Sequence, residues 1–329
     1  MSQPLKTELV GLADISDIGL EAWLASAGYS LRESRPLPGD VSARRYTRLT
    51  GADGVTAILA TYPPEVRNIC PRFLRTTALL EKAGVPVPRV LASSCDEGWM
   101  LVEDLGPQTL GEWGQGRSWS ELGVWFERAL DLADRIGRIP VKELDGLNPR
   151  LGRELLLREL AQTWDLFLQP RGLTGDETLT RALRSALDQI CANLGAEPPV
   201  SCHRDFMVRN LMPLADGGLI VLDHQDLRLG PPAYDLASLL NDTLFPPPAV
   251  EEALLAAARI DPIQYHRAAA QRTLKAIGTY TSFALRGAER HLPLVAPTLA
   301  RCLAHLSRLP ESAPLVPDLA EAWAAVLEA

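Results

Sequence analysis

The stretch Ser201–Asn210, SCHRDFMVRN, sets His203 two residues ahead of Asp205 and Asn210 five residues behind it. It is followed by LMPL, ADGG, LIVL and DHQD, two four-residue apolar runs flanking a glycine-containing turn. That pattern predicts a β-hairpin. A hairpin brings the residue that enters its first strand beside the residue that leaves its second, so Asn210 and Asp223 are expected together at the open end. An amide oxygen next to a carboxylate offers hard oxygen ligands suited to Mg²⁺, which takes one or two protein carboxylates and fills its shell with phosphate and water. Asp205, one short loop upstream, then reaches a substrate hydroxyl.

Phosphoryl transfer asks for little beyond this set. A carboxylate orients the attacking hydroxyl and accepts its proton, and metal ligands neutralise the charge of the phosphates. On that reading Asp205 is the base, Asn210 and Asp223 hold Mg²⁺, and His203 is a structural residue of the loop. Asp226 is either a further ligand or a partner for loop amides. An H-x-D-x₄-N match alone is suggestive, and the hairpin ending on Asp223 is what gives it weight.

The chain around this loop has 329 residues, enough for two lobes with a sizeable core. Its 33 basic and 41 acidic residues give a net charge of −8, the wrong sign for a nucleic-acid binder, so a small-molecule partner is expected. Lysine stands only at positions 6, 82, 142 and 275, leaving nearly all positive charge to arginine. Cys70, Cys95, Cys191, Cys202 and Cys302 form no C-x-x-C pair, which argues against a zinc ribbon or a disulfide framework and fits a reducing cytoplasm. The N-terminal MSQPLKTELV lacks the pattern of a secretory signal, and no run approaches the roughly 18 apolar residues of a membrane span. A soluble cytoplasmic protein is expected; composition leaves the oligomeric state open.

Periodicity divides the chain near residue 106. Before it, a helix over residues 11–27 precedes two strand-like runs, Arg44–Leu49 and Val55–Tyr62, separated by the turn Gly51–Gly54. A helix at Phe73–Ala83 and a strand at Trp99–Val102 follow. After residue 107 long helices dominate: Trp119–Ile139, Leu151–Leu168, Glu177–Leu194, Tyr234–Leu240, Val250–Ala258 and most of 262–329. No G-x-S-x-G elbow, Walker-type loop, G-x-G-x-x-G fingerprint or H-E-x-x-H pair occurs.

Four segments in order, PGDVSARRYTRL, WMLVEDLG, CHRDFMVRNLM and VLDHQDLRLGPPAYDLASLL, resemble the aminoglycoside phosphotransferase-like kinases. Within that group the likeness is to the anomeric sugar kinases that act on N-acetylmuramate and N-acetylglucosamine in cell-wall recycling. The resemblance implies an α+β, bilobal protein-kinase-like fold, with a mixed N-terminal nucleotide-binding lobe (1–106) built on an antiparallel sheet and a mainly helical C-terminal lobe (107–329) carrying catalytic loop and acceptor site. It implies ATP and Mg²⁺ as cofactors, Asp205 as base, Asn210 and Asp223 as metal ligands, and Asp235 bonded to the backbone of the catalytic loop. Gly39, Asp40 and Ser42 would cover the nucleotide phosphates, and Glu103 and Leu105 would read adenine through main-chain groups.

The chain departs from the protein-kinase pattern on its third strand, where VTAILATY carries no lysine for the nucleotide phosphates, and Thr61 stands where the sugar kinases show Asp. Arg44, Arg45 or Arg48 is the expected substitute cation, with Arg44 and Arg48 on one strand face and Arg45 on the other. On the helix GRELLLRELAQTWDLFLQ, Arg158, Glu159 and Trp164 are candidates for acceptor contact. The sequence is thus read as an ATP-dependent kinase of a sugar or amino sugar. An aminoglycoside-modifying phosphotransferase and a pseudokinase-like nucleotide-binding module are the alternatives.

Overall fold

A computed structural model describes residues 18–37 and 43–328, and its contacts divide the chain into two compact units. One takes the chain up to Leu74 together with Pro88–Gly106; the other takes Arg75–Val87 and everything from Pro107 onward.

The first unit contains helix α1 (Ile18–Ser26), strands β1 (Leu31–Pro36), β2 (Arg45–Gly51) and β3 (Thr56–Thr61), the start of helix α2 (Ile69–Lys82), and strands β4 (Val90–Ser94) and β5 (Trp99–Glu103). The five strands make one antiparallel sheet in the order β1-β2-β3-β5-β4. Alternation along the strands gives the sheet two apolar faces. Leu49, Ala57, Leu59 and Leu101 bury against Leu20 and Leu24 of α1, while Ala60, Tyr62 and Met100 pack with Cys70 and Phe73 of α2. The hairpin strands read from the sequence are present with bounds shifted by a residue or two, and α2 begins four residues earlier than the apolar period suggested.

Cys70 and Cys95 form a disulfide in this unit, against the expectation of no disulfide framework. Antiparallel pairing of β4 and β5 returns the chain so that position 95 meets the first turn of α2, a proximity that their spacing of 25 residues does not reveal. The cysteine pattern therefore no longer argues for a reducing compartment. Cys191, Cys202 and Cys302 are buried free thiols.

The second unit contains the end of α2, then α3 (Leu110–Trp113), α4 (Trp119–Gly137), α5 (Arg153–Thr163) and α6 (Glu177–Ala196). Four three-residue strands follow, β6 (Val200–Cys202), β7 (Leu211–Pro213), β8 (Leu219–Val221) and β9 (Arg228–Gly230), and then α7 (Tyr234–Leu240), α8 (Pro248–Ala258), α9 (Pro262–Leu285), α10 (Val295–Leu306) and α11 (Val316–Leu327). Residues 75–87, assigned to the first lobe by periodicity, group here because Leu80, Val85 and Val87 belong to the large helical core and Val221 N–H donates to the Pro86 carbonyl at 2.9 Å. Pro248 opens α8, two residues before the Val250 start read from periodicity, at a first-turn position where proline's missing N–H costs nothing.

Helix α9 is buried on most sides and crosses α5 closely. The Thr163 hydroxyl donates to the Leu274 carbonyl at 2.6 Å, and Gly278 lies against the Thr163 backbone. A Cβ at Gly278 would stand 2.4 Å from Thr163 Oγ1 and 2.8 Å from its backbone nitrogen. Beyond Thr163, residues Trp164–Leu168 widen into a π-turn. Gly278→Ala is expected to lower the unfolding free energy by about 1–3 kcal/mol, the usual cost of overpacking a close contact. Urea denaturation measures this, and an unchanged midpoint would mean that the two helices part without cost.

Candidate active site

The loop after β6 is held from below by one carboxylate. Asp235, in the first turn of α7, accepts the His203 N–H at 2.6 Å, the Arg204 N–H at 2.8 Å and the Cys202 thiol at 3.0 Å. Burial pushes the Asp235 carboxyl up, and the donors aimed at it act in the opposite sense. With both amides fixed, Arg204 takes a left-handed conformation, φ 77°, which turns the chain sharply ahead of Asp205. His203 Nε2 lies 2.9 Å from the Leu222 carbonyl; a carbonyl only accepts, so that nitrogen carries the proton. His203 is fully buried and edge-on to Phe206, which gives it a structural place rather than one at the open site.

The hairpin forms, with Leu211 opposite Val221 and Pro213 opposite Leu219. Leu222 N–H donates to the Asn210 carbonyl at 2.8 Å, so Asp223 follows directly on the residue paired with Asn210. Asn210 Nδ2 donates to the Asp205 carbonyl at 2.8 Å, which fixes the amide so that its oxygen points away from that bond. Asp223 adopts φ 56°, ψ 38°, and its Oδ1 accepts from Gln225 at 3.0 Å. Two non-glycine residues with positive φ in one loop and hairpin mark backbone strain of the kind that collects at functional sites. Asp205, Asn210 and Asp223 are partly exposed, whereas Phe206, Val208 and Val221 between them are buried. An oriented amide oxygen and one carboxylate, both oxygen donors, fit a hard divalent cation such as Mg²⁺.

Asp205 is surrounded by cations. Lys275 Nζ stands 3.2 Å and Arg272 Nη2 3.3 Å from its Oδ1, and Arg204 Nη1 lies 3.4 Å from Oδ2. Burial alone would raise the Asp205 carboxyl, but Lys275, Arg204 and Arg272 hold it well below the usual carboxylate range. Neither α9 residue is flagged by local pattern, because they lie some seventy positions downstream. The available signal was a scarce lysine and an arginine inside the otherwise uncharged run AAAQRTLKAIG.

Of the acceptor candidates, Glu159 reaches the loop, with Oε1 2.7 Å from Arg204 Nη2 and Oε2 3.4 Å from Gln271. Arg158 is exposed on the other side of the helix turn, and Trp164 is core: it is 7 % exposed, and Arg184 covers its ring at 3.9 Å. Asp226 pairs with the side chains of Arg204 and Arg228 at 3.0 and 3.2 Å rather than with loop amides. Arg209 clamps Asp242 at 2.6 Å and so anchors the residue before Asn210.

In the sheet unit, Gly39, Asp40 and Ser42 lie outside the described residues. Arg44 stacks on Tyr46, with its guanidinium carbon 5.7 Å from the ring centre, and Arg45 is exposed at the start of β2. Arg48 is committed to Asp104, at 2.6 Å, and to the Gly106 carbonyl. Glu103 N–H donates to the Arg89 carbonyl at 3.0 Å, so any base contact at Glu103 falls to its carbonyl; Leu105 is half-buried.

Asp235→Ala is expected to cost about 2–5 kcal/mol, since it strands two buried amides and a thiol. Denaturation together with amide exchange at His203 and Arg204 checks this. Protection at those amides equal to that of the unaltered chain would show the loop to be held by something else.

Residues 33–271 match the phosphotransferase enzyme family, APH. The chain is 36 % identical over 231 residues to N-acetylmuramate/N-acetylglucosamine kinase of Pseudomonas aeruginosa, a match covering 67 % of this chain and 63 % of that protein, so the chain spans a little under two thirds of that relative's length. It is 31 % identical over 300 residues to the enzyme of the same name from Pseudomonas putida, covering 86 % of each. Choline kinase LicA from Streptococcus pneumoniae superimposes with a TM-score of 0.62 at 14 % identity, over 88 % of this chain and 98 % of that one. The α+β protein-kinase-like fold expected from the sequence is therefore present, and with a family match over most of its length the chain belongs to the phosphotransferase enzyme family.

Proposed function

We propose that the protein is a kinase that moves the γ-phosphate of ATP to a hydroxyl of an N-acetylated amino sugar of the N-acetylmuramate or N-acetylglucosamine type. The observation that carries this reading is the Asp205, Asn210 and Asp223 constellation on a loop and hairpin, joined to the likeness to N-acetylmuramate/N-acetylglucosamine kinases. Asp205 accepts the proton of the attacking hydroxyl. Its ionised state is secured by the cations around it, so it is in the accepting form throughout the neutral range. Asn210 and Asp223 would hold Mg²⁺, which supplies neutralisation of the nucleotide phosphates when bound. Asp235 and His203 keep the base in place through the backbone. The anomeric hydroxyl is the position favoured by the resemblance to the anomeric kinases.

The charge around Asp205 supports this acceptor class over an aminoglycoside. Arg204, Arg272 and Lys275 would repel a polycation brought to the base, whereas a neutral or acidic sugar meets no such penalty. Retention of base and both ligand positions likewise favours turnover over mere nucleotide sensing. We place the activity in the cytoplasm, where ATP is supplied; no helix among the described residues is long and apolar enough to cross a membrane.

The test is consumption of Mg·ATP against N-acetylmuramate, N-acetylglucosamine, other hexoses and several aminoglycosides, with phosphorus NMR on the product. An amino-sugar phosphate with an anomeric signal is expected, and turnover of aminoglycosides alone would overturn the reading. Asp205→Asn is expected to lower kcat by about 10²-fold or more with nucleotide binding nearly intact, and full turnover in that variant would remove Asp205 from the base role. Asp223→Ala is expected to weaken Mg·nucleotide binding itself, measured by calorimetry with and without Mg²⁺; equal affinities in variant and parent would contradict the ligand assignment.

A further inference from the structure

The third strand carries no lysine, yet the helical unit buries one beside the reacting position. Lys275 is 14 % exposed and Arg272 is 6 % exposed, and both approach the same oxygen of Asp205. The surrounding network sets three carboxylates, Asp205, Glu159 and Asp226, against four cations, Arg204, Arg228, Arg272 and Lys275. Counted over these ion pairs, the cations outnumber the carboxylates by one.

For a residue that must accept a proton, such neighbours are a handicap, because they make the carboxylate a weaker base. Phosphoryl transfer tolerates a weak base, since most of its catalysis is positioning and stabilisation of charge on the group in flight. The cations on Asp205 thus work against the minor task and in favour of the major one. The two residues also differ in freedom. Arg272 is pinned by the Ser238 hydroxyl at 3.1 Å and Met207 Sδ at 2.7 Å, whereas Lys275 makes its one side-chain hydrogen bond, among the described residues, to Asp205. An acceptor hydroxyl within roughly 2.6–3.2 Å of Asp205, with phosphorus about 3–3.5 Å beyond it, brings the phosphoryl oxygens within reach of an ammonium on a flexible four-carbon stem.

We propose that Lys275 is the catalytic cation that takes up the charge of the phosphoryl group during transfer. This rests on the reading of Asp205 as the base. As the bond between acceptor oxygen and phosphorus forms, the bond from phosphorus to the bridging oxygen breaks and its electron pair leaves with the nucleoside diphosphate. The acceptor proton passes to Asp205, and Lys275 and Arg272 keep theirs. Lys275 faces Arg272 on its own helix, Asp205 and Arg204 on the loop and Glu159 on α5. Burial, then Arg272 and Arg204, bring its ammonium down to about 8, with Asp205 and Glu159 opposing. The cation is present below that pH in the free protein and is lost above it, so kcat/KM falls on the alkaline side.

The experiment compares the wild type with Lys275→Met and Lys275→Arg for kcat, for KM toward ATP and toward each amino sugar, and for the pH profile. Lys275→Met is expected to lower kcat by about 10²-fold or more, as removal of one preorganised charge-stabilising donor does, with each KM little changed. Lys275→Arg is expected to restore part of kcat and to abolish the alkaline limb of kcat/KM near 8, because a guanidinium stays charged. The proposal is overturned if Lys275→Met keeps near-wild-type kcat, or if only its KM for N-acetylmuramate rises, which would make Lys275 an acceptor-carboxylate contact. It is also overturned if Arg rescues no better than Met and the alkaline limb persists. Should the wild type phosphorylate neither sugar, the acceptor reading fails by itself. The slow transfer of phosphate from ATP to water then carries the same comparison, its loss in Lys275→Met supporting the proposal and its persistence overturning it.

Discussion

The Asp235 carboxylate is buried at the base of the helical unit and gathers the amides of His203 and Arg204 and the Cys202 thiol. Without a partner, each of those amides would be an uncompensated buried donor, and Arg204 could not hold its left-handed turn. The turn presents Asp205, the Asp205 carbonyl orients the Asn210 amide, and Asn210 pairs through its own carbonyl into the hairpin that ends at Asp223. The three polar side chains that face outward are thus referenced to one buried anion. His203 braces the far side of the same loop through Leu222.

Around this frame the charge is arranged so that cations from two elements converge on one carboxylate. Arg204 comes from the loop, while Arg272 and Lys275 come from a helix whose axis is fixed by its contact with α5 at Thr163 and Gly278. Glu159 on α5 answers Arg204, which couples helix packing to loop electrostatics. A small shift of α9 against α5 would alter both the lysine position and the balance of the network, so tight packing there serves the site as much as stability.

The sheet unit has its own organising contacts. Arg48 ties β2 to Asp104 and Gly106 at the end of β5, and the Cys70–Cys95 bridge ties α2 to the β4–β5 turn. Arg48 is thereby occupied with structure, which narrows the arginines expected to compensate for the missing strand lysine to Arg44 and Arg45.

Element types were legible because they depend on short-range rules. Apolar periods of two and of three to four residues marked the meander and the long helices, and the Gly-containing turn between two apolar runs located the hairpin and hence the nearness of Asn210 to Asp223. Bounds slipped where local period and chain context disagree, as at the start of α2 and at Pro248. What the sequence left undecided depends on distance through space. Residues 75–87 join the helical core through contacts with distant helices, Cys95 meets Cys70 only once two strands pair, and Trp164 proves to be core because α6 supplies Arg184 to cover it. The cations on Asp205 are the clearest case. A spacing rule reads neighbours along one element, whereas the field at a carboxylate sums charges from every element packed against it, and only the folded chain sets Arg272 and Lys275 within 3.3 Å of that oxygen.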